Sequence, residues 1–134
     1  MKTVLFVCVG NSARSQMAEG FFNAAAPEGW QAVSAGTHPA SSVSRAAVEV
    51  MAEKGIDLSK ARPKELTREM VEEADMVISM GCGVDLCPYN LYDGVVDWGL
   101  DDPTGAPVER VREIRDEIER KVRDLLDRIQ GQAK

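Results

Sequence analysis

The chain has 134 residues, of which 44% are hydrophobic and 28% are charged, and its formal net charge is −6. These values are typical of one globular domain, which we expect to span residues 1–134. The negative charge argues against binding to nucleic acid or to an anionic membrane. The apolar N-terminal run is too short for a signal peptide or a membrane span, which predicts a cytoplasmic protein.

Strand and helix patterns alternate from the N-terminus. An apolar, β-branched run predicts a strand over residues 3–8, and apolar positions at helical spacing predict a helix over 14–26. Pro27 and Gly29 end that helix. A second strand is expected at 30–35.

The middle of the chain continues the alternation. Ser41 or Ser42 is expected to cap a second helix, which ends at Gly55. A short helix over 67–73 then leads to a third strand at 76–80.

The remaining elements complete an α/β pattern. A fourth strand is expected at 95–98, and apolar residues spaced three and four apart predict a long terminal helix from Val108 to Ile129. Its balanced charges indicate a solvated outer face, so a helix docked on the domain is favoured over a coiled coil or a partner helix. Alternating strands and helices predict a parallel sheet covered on both faces, with the flavodoxin-like order 2-1-3-4.

The loop between the first strand and the first helix has the composition of an anion site. Residues 8–15 read Cys-Val-Gly-Asn-Ser-Ala-Arg-Ser. Backbone N–H groups at a helix start lack backbone partners, and Gly10 and Asn11 tolerate the angles that form a concave nest. The residues expected to bind a tetrahedral oxyanion are Val9, Gly10, Asn11, Ser12, Ala13, Arg14 and Ser15.

Cys8 is the candidate nucleophile of this loop. The loop amides and Arg14 would favour its thiolate, and the Ser15 hydroxyl could donate to its sulfur. Arg14 can bind two oxygens of an oxyanion with its planar fork. The alternative is a buried core cysteine with Arg14 as an ordinary solvated helix residue.

Two further segments should meet Cys8, because the carboxyl ends of parallel strands share one edge of a sheet. Asp102 follows the fourth strand and could act as a general acid. Cys82 and Cys87 follow the third strand and could form a thiol relay, although Cys87 could instead be a core residue. A zinc site is not expected, because the sequence has only one histidine, His38, and no pair of Cys-x-x-Cys motifs. His38 is expected to lie at the surface.

The motifs together resemble the low-molecular-weight protein tyrosine phosphatase superfamily, and most closely its thioredoxin-coupled arsenate reductases. The similarity covers residues 8–20, Ser34-Ala35-Gly36, Met80-Gly81-Cys82, Cys87-Pro88 and 98–105. It implies the low-molecular-weight phosphatase fold, Cys8 as nucleophile, Arg14 and the loop amides as oxyanion ligands, Asp102 as proton handler, and Cys82 with Cys87 as the resolving pair. Ala13 stands where many relatives have a second loop cysteine.

The resemblance favours arsenate reduction, with thioredoxin or another thiol as reductant, no cofactor, and a monomeric protein. One alternative is a tyrosine phosphatase that forms a phosphocysteine at Cys8, although Thr104-Gly105 replace the aromatic residues usual in that branch. A second is a non-enzymatic redox sensor that binds oxyanions.

Some of these reductases bind potassium beside the loop, through residues that match Asn11, Glu19 and Ser34. Here Arg62 and Lys64 stand where later oxygen ligands are expected, and a cationic side chain has no lone pair to give. Lys64 is therefore predicted to place its own charge near Glu19, the alternative being two solvated loop cations.

Overall fold

The computed structural model describes residues 2–80, 96–100, 103 and 105–132. Its four strands are β1 (Lys2–Cys8), β2 (Trp30–Gly36), β3 (Met76–Ser79) and β4 (Val96–Asp97). All neighbouring strands pair in parallel, in the order β2-β1-β3-β4. The predicted α/β class and the 2-1-3-4 strand order are confirmed.

The strand β1 lies in the interior of the sheet, and its side chains alternate between two cores. Val4, Phe6 and Cys8 join the larger cluster, whereas Leu5 and Val7 join the smaller one. Such a strand, covered on both faces, explains the continuous apolar run that the sequence shows there. Cys8 ends this strand opposite Gly36 of β2.

Among the described residues, four helices flank the sheet: α1 (Arg14–Ala25), α2 (Arg45–Ala52), α3 (Arg68–Glu73) and α4 (Val108–Gln132). The apolar stripe of α4 is buried against the larger core, as its spacing predicted; its most buried members are Val111, Ile114, Ile118 and Val122. The helix α3 instead contributes Val71 to the smaller core. No helix within the described ranges is long and apolar enough to cross a membrane.

The prediction that Ser41 or Ser42 is the N-cap residue of the second helix is wrong. The cap is Ser44, whose Oγ accepts a hydrogen bond from the N–H of Ala47 at 3.4 Å, and not Ser41 or Ser42. The N–H of Ser44 donates to the carbonyl of Ser12 at 2.8 Å, which ties the start of α2 to the candidate catalytic loop. This tertiary contact decides where the helix begins.

An ion cluster joins the end of α2 to α4. Glu53 accepts hydrogen bonds from Arg112 Nη2 at 2.8 Å and from Arg115 Nη1 at 2.6 Å. These two guanidinium groups lower the pKa of Glu53 to about 2. Arg115, whose side chain is only 8% exposed, also donates to the carbonyl of Val50 at 3.0 Å.

Candidate active site

Cys8 stands where β1 reaches the carboxyl edge of the sheet, and its residue is only 2% exposed. Its Sγ accepts a hydrogen bond from the backbone N–H of Asn11 at 3.1 Å and lies 2.9 Å from Ser15 Oγ. Ser15 Oγ accepts from Asn11 Nδ2 at 2.7 Å, which leaves the hydroxyl proton for the sulfur. Two hydrogen-bond donors are therefore aimed at one buried sulfur, the atom expected to act as the nucleophile.

Asn11 organises the loop through both ends of its side chain. Its backbone has φ of +50°, in the left-handed region where asparagine is several-fold enriched. Its Oδ1 accepts from the N–H of Lys64 at 2.8 Å and from Gln16 Nε2 at 3.1 Å. Asn11 is fully buried, so this strained residue is held by contacts on every polar group of its side chain.

Gly36 allows the loop to lie against the end of β2. A Cβ at this position would stand 2.6 Å from the carbonyl oxygen of Val9 and 2.9 Å from the backbone nitrogen of Asn11. Any side chain here would therefore displace the loop. The N–H of Gly36 donates to the carbonyl of Lys64 and its carbonyl accepts from Leu66, so the strand end is also fixed on its other side.

The loop encloses a small pocket of about 230 Å³, lined by Cys8, Val9, Gly10, Ser12, Ala13, Arg14 and Ala40. The helix α1 starts at this pocket without a side-chain cap. Within the described part of the chain, the N–H groups of Gly10, Ser12 and Ala13 donate no hydrogen bond to a protein acceptor. Uncapped N–H groups at a helix start attract an anion both by hydrogen bonding and through the helix dipole.

Arg14 connects this pocket to the neighbouring strands. It is 5% exposed, and its Nη1 donates to the carbonyl of Met80 at 2.5 Å and to that of Leu100 at 3.1 Å. Met80 follows β3 and Leu100 follows β4. The guanidinium is thus fixed at the carboxyl edge of three strands, and Arg14 lines the same pocket as Cys8. The interpretation of Arg14 as a solvated helix residue is wrong.

The structure brings together the predicted residues of the loop, from Cys8 to Ser15. Cys82, Cys87 and Asp102 lie outside the described residues. His38 is exposed, as predicted. Between the described residues, no three His, Cys, Asp or Glu side chains cluster as a metal site would require.

The predicted contact of Lys64 with Glu19 is present, with Nζ 3.8 Å from Oε1. The oxygens that the resemblance assigns to potassium differ in their state. Both lone pairs of Asn11 Oδ1 already accept hydrogen bonds, and the Lys64 ammonium lies beside Glu19. Ser34 Oγ is buried and has no hydrogen-bond partner among the described residues.

Gln16 is a site residue that the sequence analysis missed. It is fully buried, and its Nε2 donates to the carbonyl oxygens of Asn11 at 3.2 Å and of Arg62 at 3.0 Å. It therefore joins the catalytic loop to the segment that follows α2. A polar residue directly after the Arg-Ser pair, on the first turn of a helix with a buried face, was the available signal.

Known proteins match both the sequence and the fold. The low molecular weight phosphotyrosine protein phosphatase family matches residues 3–134. A putative arsenate reductase of Halobacterium salinarum is 43% identical over 127 residues, which cover 91% of this chain and 89% of that protein.

Solved structures also share the fold. The low molecular weight protein tyrosine phosphatase of T. tengcongensis superposes with a TM-score of 0.88 at 34% identity, covering 96% of this chain and 99% of that one. The thioredoxin-dependent arsenate reductase Cg_ArsC1' of Corynebacterium glutamicum gives 0.82 at 36% identity, covering 98% of this chain and 63% of that one. The expected phosphatase fold is confirmed, and the chain belongs to the low molecular weight phosphotyrosine protein phosphatase family, among relatives that are arsenate reductases.

Proposed function

We propose that this protein reduces arsenate to arsenite by a thiol relay that starts at Cys8. The observation that carries the proposal is the Cys8 sulfur, which accepts hydrogen bonds from Asn11 and Ser15 at the base of a pocket lined by loop amides and Arg14. A thiolate beside a tetrahedral-oxyanion site is placed to attack the bound anion. Relatives named as arsenate reductases favour arsenate as that anion.

In the first step the Cys8 thiolate attacks arsenic, an As–O bond breaks, and the oxygen leaves as water. Arg14 and the loop N–H groups stabilise the negative charge on the remaining oxygens. Asp102 supplies the proton that the leaving oxygen needs.

In the second step the thiolate of Cys82 attacks the sulfur of Cys8. The S–As bond breaks, its electron pair stays on arsenic, and arsenic(V) becomes arsenic(III), which leaves as arsenite. Cys87 then attacks Cys82, which releases the Cys8 thiolate and leaves a Cys82–Cys87 disulfide. Thioredoxin supplies the two electrons that reduce this disulfide.

The hydrogen bonds of Arg14 support the participation of the segments that carry Cys82 and Asp102. Its two acceptors, Met80 and Leu100, stand two residues before Cys82 and Asp102 in the chain. Two residues span at most about 7 Å. The segments that carry the resolving thiol and the proton donor therefore leave the described part of the sheet at the guanidinium that would hold arsenate.

A tyrosine phosphatase is the second candidate, because the same pocket suits phosphate and the T. tengcongensis phosphatase has this fold. In that reaction water hydrolyses a Cys8 phosphocysteine, and Asp102 serves first as acid and then as base. It needs neither Cys82 nor Cys87.

The two candidates separate in one assay of arsenite production with thioredoxin, thioredoxin reductase and NADPH. We expect Cys82→Ser and Cys87→Ser each to lose multiple turnover but to keep any hydrolysis of p-nitrophenyl phosphate. Cys8→Ser should lose both activities. If Cys82→Ser still cycles arsenate with thioredoxin, the relay is wrong and the phosphatase proposal replaces it.

A further inference from the structure

A second cavity, of about 680 Å³, opens beside the catalytic loop. One wall carries Ser41 and Ser42, and the other carries Ser59, Lys60 and Arg62. None of these residues lines the pocket of Cys8. The cavity is therefore a separate site, and neither the relay nor the phosphatase reaction assigns it a role.

The first wall is tied to the catalytic loop by its backbone. The N–H of Ala40 donates to the carbonyl of Gly10 at 2.9 Å, and the N–H of Ser44 donates to the carbonyl of Ser12 at 2.8 Å. Ser41 and Ser42 lie between these two anchors. Ala40 itself lines the Cys8 pocket, so the two cavities are neighbours along one stretch of chain.

The second wall is tied to the same loop from the other side. Gln16 Nε2 donates to the carbonyl of Arg62 at 3.0 Å, and the N–H of Lys64 donates to Asn11 Oδ1 at 2.8 Å. Both walls thus hold fixed positions relative to the oxyanion pocket. A cavity formed in this way is preorganised, which lowers the entropic cost of binding a ligand.

The polar groups of the cavity are mainly donors with positive charge. Lys60 and Arg62 are exposed, and neither forms an ion pair with a carboxylate of the described ranges. Asp57 lies in the same segment and accepts a hydrogen bond from the N–H of Ser59 at 2.8 Å. The pKa of Asp57 is lowered first by its bonds to Ser59 and to a smaller degree by the charge of Lys60, so this carboxylate is already engaged.

We propose that this cavity binds an oxyanionic group, a phosphate or a carboxylate, next to the catalytic loop. Ammonium and guanidinium groups only donate, and serine hydroxyls can donate, so the wall suits an acceptor-rich anion and repels a cation. The bound phosphate or carboxylate could come from two sources that share this chemistry. It is either a free inorganic anion or an acidic group of a larger molecule whose phosphate lies in the Cys8 pocket.

The test is a titration of the reduced, ¹⁵N-labelled full chain, followed by NMR. The first arm uses inorganic phosphate, and the second uses a tyrosine-phosphorylated peptide with glutamates beside the phosphotyrosine. We expect the amides of Ser41, Ser42 and Ala61 to shift with a saturation curve of their own, separate from that of residues 10–13. A shift with phosphate identifies a free anion, and a shift with the peptide alone identifies a tethered acidic group.

The double variant Lys60→Gln/Arg62→Gln should weaken this binding at least fivefold and leave the titration of residues 10–13 unchanged. Arg120→Gln/Arg128→Gln is the matched control, because it removes the same charge from exposed positions of α4 and should bind as the wild type does. The proposal is overturned if neither ligand shifts residues 41, 42 and 61, or if the Lys60/Arg62 variant binds unchanged. Binding is read without turnover, so failure of the arsenate assay and failure of this proposal are separate results.

Discussion

The catalytic loop and the contact between α2 and α4 use polar side chains in opposite ways. At the helix contact, Glu53 and Asp116 balance the charges of Arg112 and Arg115, and the side chain of Glu53 is 41% exposed. In the loop, uncharged donors from Asn11 and Ser15 converge on one buried sulfur. A balanced ion cluster stabilises a fold, whereas donors concentrated on one atom favour the negative charge that a nucleophile needs.

The largest effect of a substitution is expected at Gly36, where the backbone of the loop packs most closely against β2. Gly36→Ala places a Cβ against the carbonyl of Val9, and we expect it to lower the free energy of unfolding by about 1–3 kcal/mol. Because the loop must move, protection of Cys8 from iodoacetamide by phosphate should weaken by roughly 100-fold. Thermal unfolding and alkylation rates measure the two effects.

Gly131→Ala is the control for this variant. It lies in α4, and a Cβ there would meet no atom within 4 Å, so it should raise helix stability by roughly 0.5–1 kcal/mol and leave Cys8 protection unchanged. Unaltered phosphate protection in Gly36→Ala would show that the loop does not depend on this close approach.

Two buried serines differ in hydrogen bonding: the hydroxyl of Ser15 lies beside the sulfur of Cys8, and that of Ser34 has no partner among the described residues. Ser15→Ala removes the hydroxyl beside Cys8 and leaves Asn11 Nδ2 unpaired, so alkylation should slow several-fold and stability should fall by about 1–3 kcal/mol. Ser34→Ala removes a buried hydroxyl that bonds to no described residue and should change neither quantity. Equal alkylation rates in the two variants would remove Ser15 from the account.

The ion cluster predicts a dependence of stability on pH. The pKa of Glu53 is lowered to about 2 by Arg112 and Arg115, below the unfolded-state value of about 4.3. The contribution of Glu53 to the free energy of unfolding is therefore fully present at pH values above its unfolded-state pKa. It is lost as the pH falls through about 2. We expect the Tm of the wild type to exceed that of Glu53→Gln at pH 7, with the difference shrinking from pH 4 to pH 2.

The exposed Glu28→Gln, at a residue with no ion pair in the described chain, should follow the wild type across this range. A Tm difference between the wild type and Glu53→Gln that is constant down to pH 2 would contradict the assignment of the shift to Glu53.

The smallest expected effect concerns the charge near Glu19. We propose that the Lys64 ammonium takes the place of the potassium ion of some relatives, since it lies 3.8 Å from Glu19 Oε1. The activity and Tm of the wild type should be equal in potassium and sodium salts at fixed ionic strength, and Lys64→Asp should gain a response to potassium. A clear potassium dependence of the unmodified protein would refute the substitution.

The sequence predicted those parts of the molecule that depend on local periodicity. The run before Cys8 and the spacing from Val111 to Ile129 each carry their own strand or helix signal, and both elements lie where they were expected. The start of α2 was misplaced because the bond from Ser44 to Ser12 joins segments that are far apart in the chain. A hydrogen bond between distant segments cannot be predicted from the spacing of neighbouring residues.

The candidate site likewise contains residues that local sequence could predict and residues whose roles depend on contacts between distant segments. Cys8, Arg14 and Ser15 could be proposed as site residues from the sequence because that proposal rests on residue type within one short loop. The roles of Gly36 and Gln16 depend on strand register and on the return of the chain after α2. Both roles are consequences of tertiary structure, and the polar character of Gln16 on a buried helix face was the one local signal for either residue.

The central claim is that the buried sulfur of Cys8 attacks arsenate, and a single turnover tests it most directly. The fully reduced chain is mixed with excess arsenate in the absence of any reductant, and arsenite and free thiols are counted. The account predicts one arsenite and the loss of two thiols for each chain, and no arsenite from Cys8→Ser. Arsenite formed by Cys8→Ser, or none formed by a wild-type chain whose Cys8 arsenate still protects from alkylation, would contradict it.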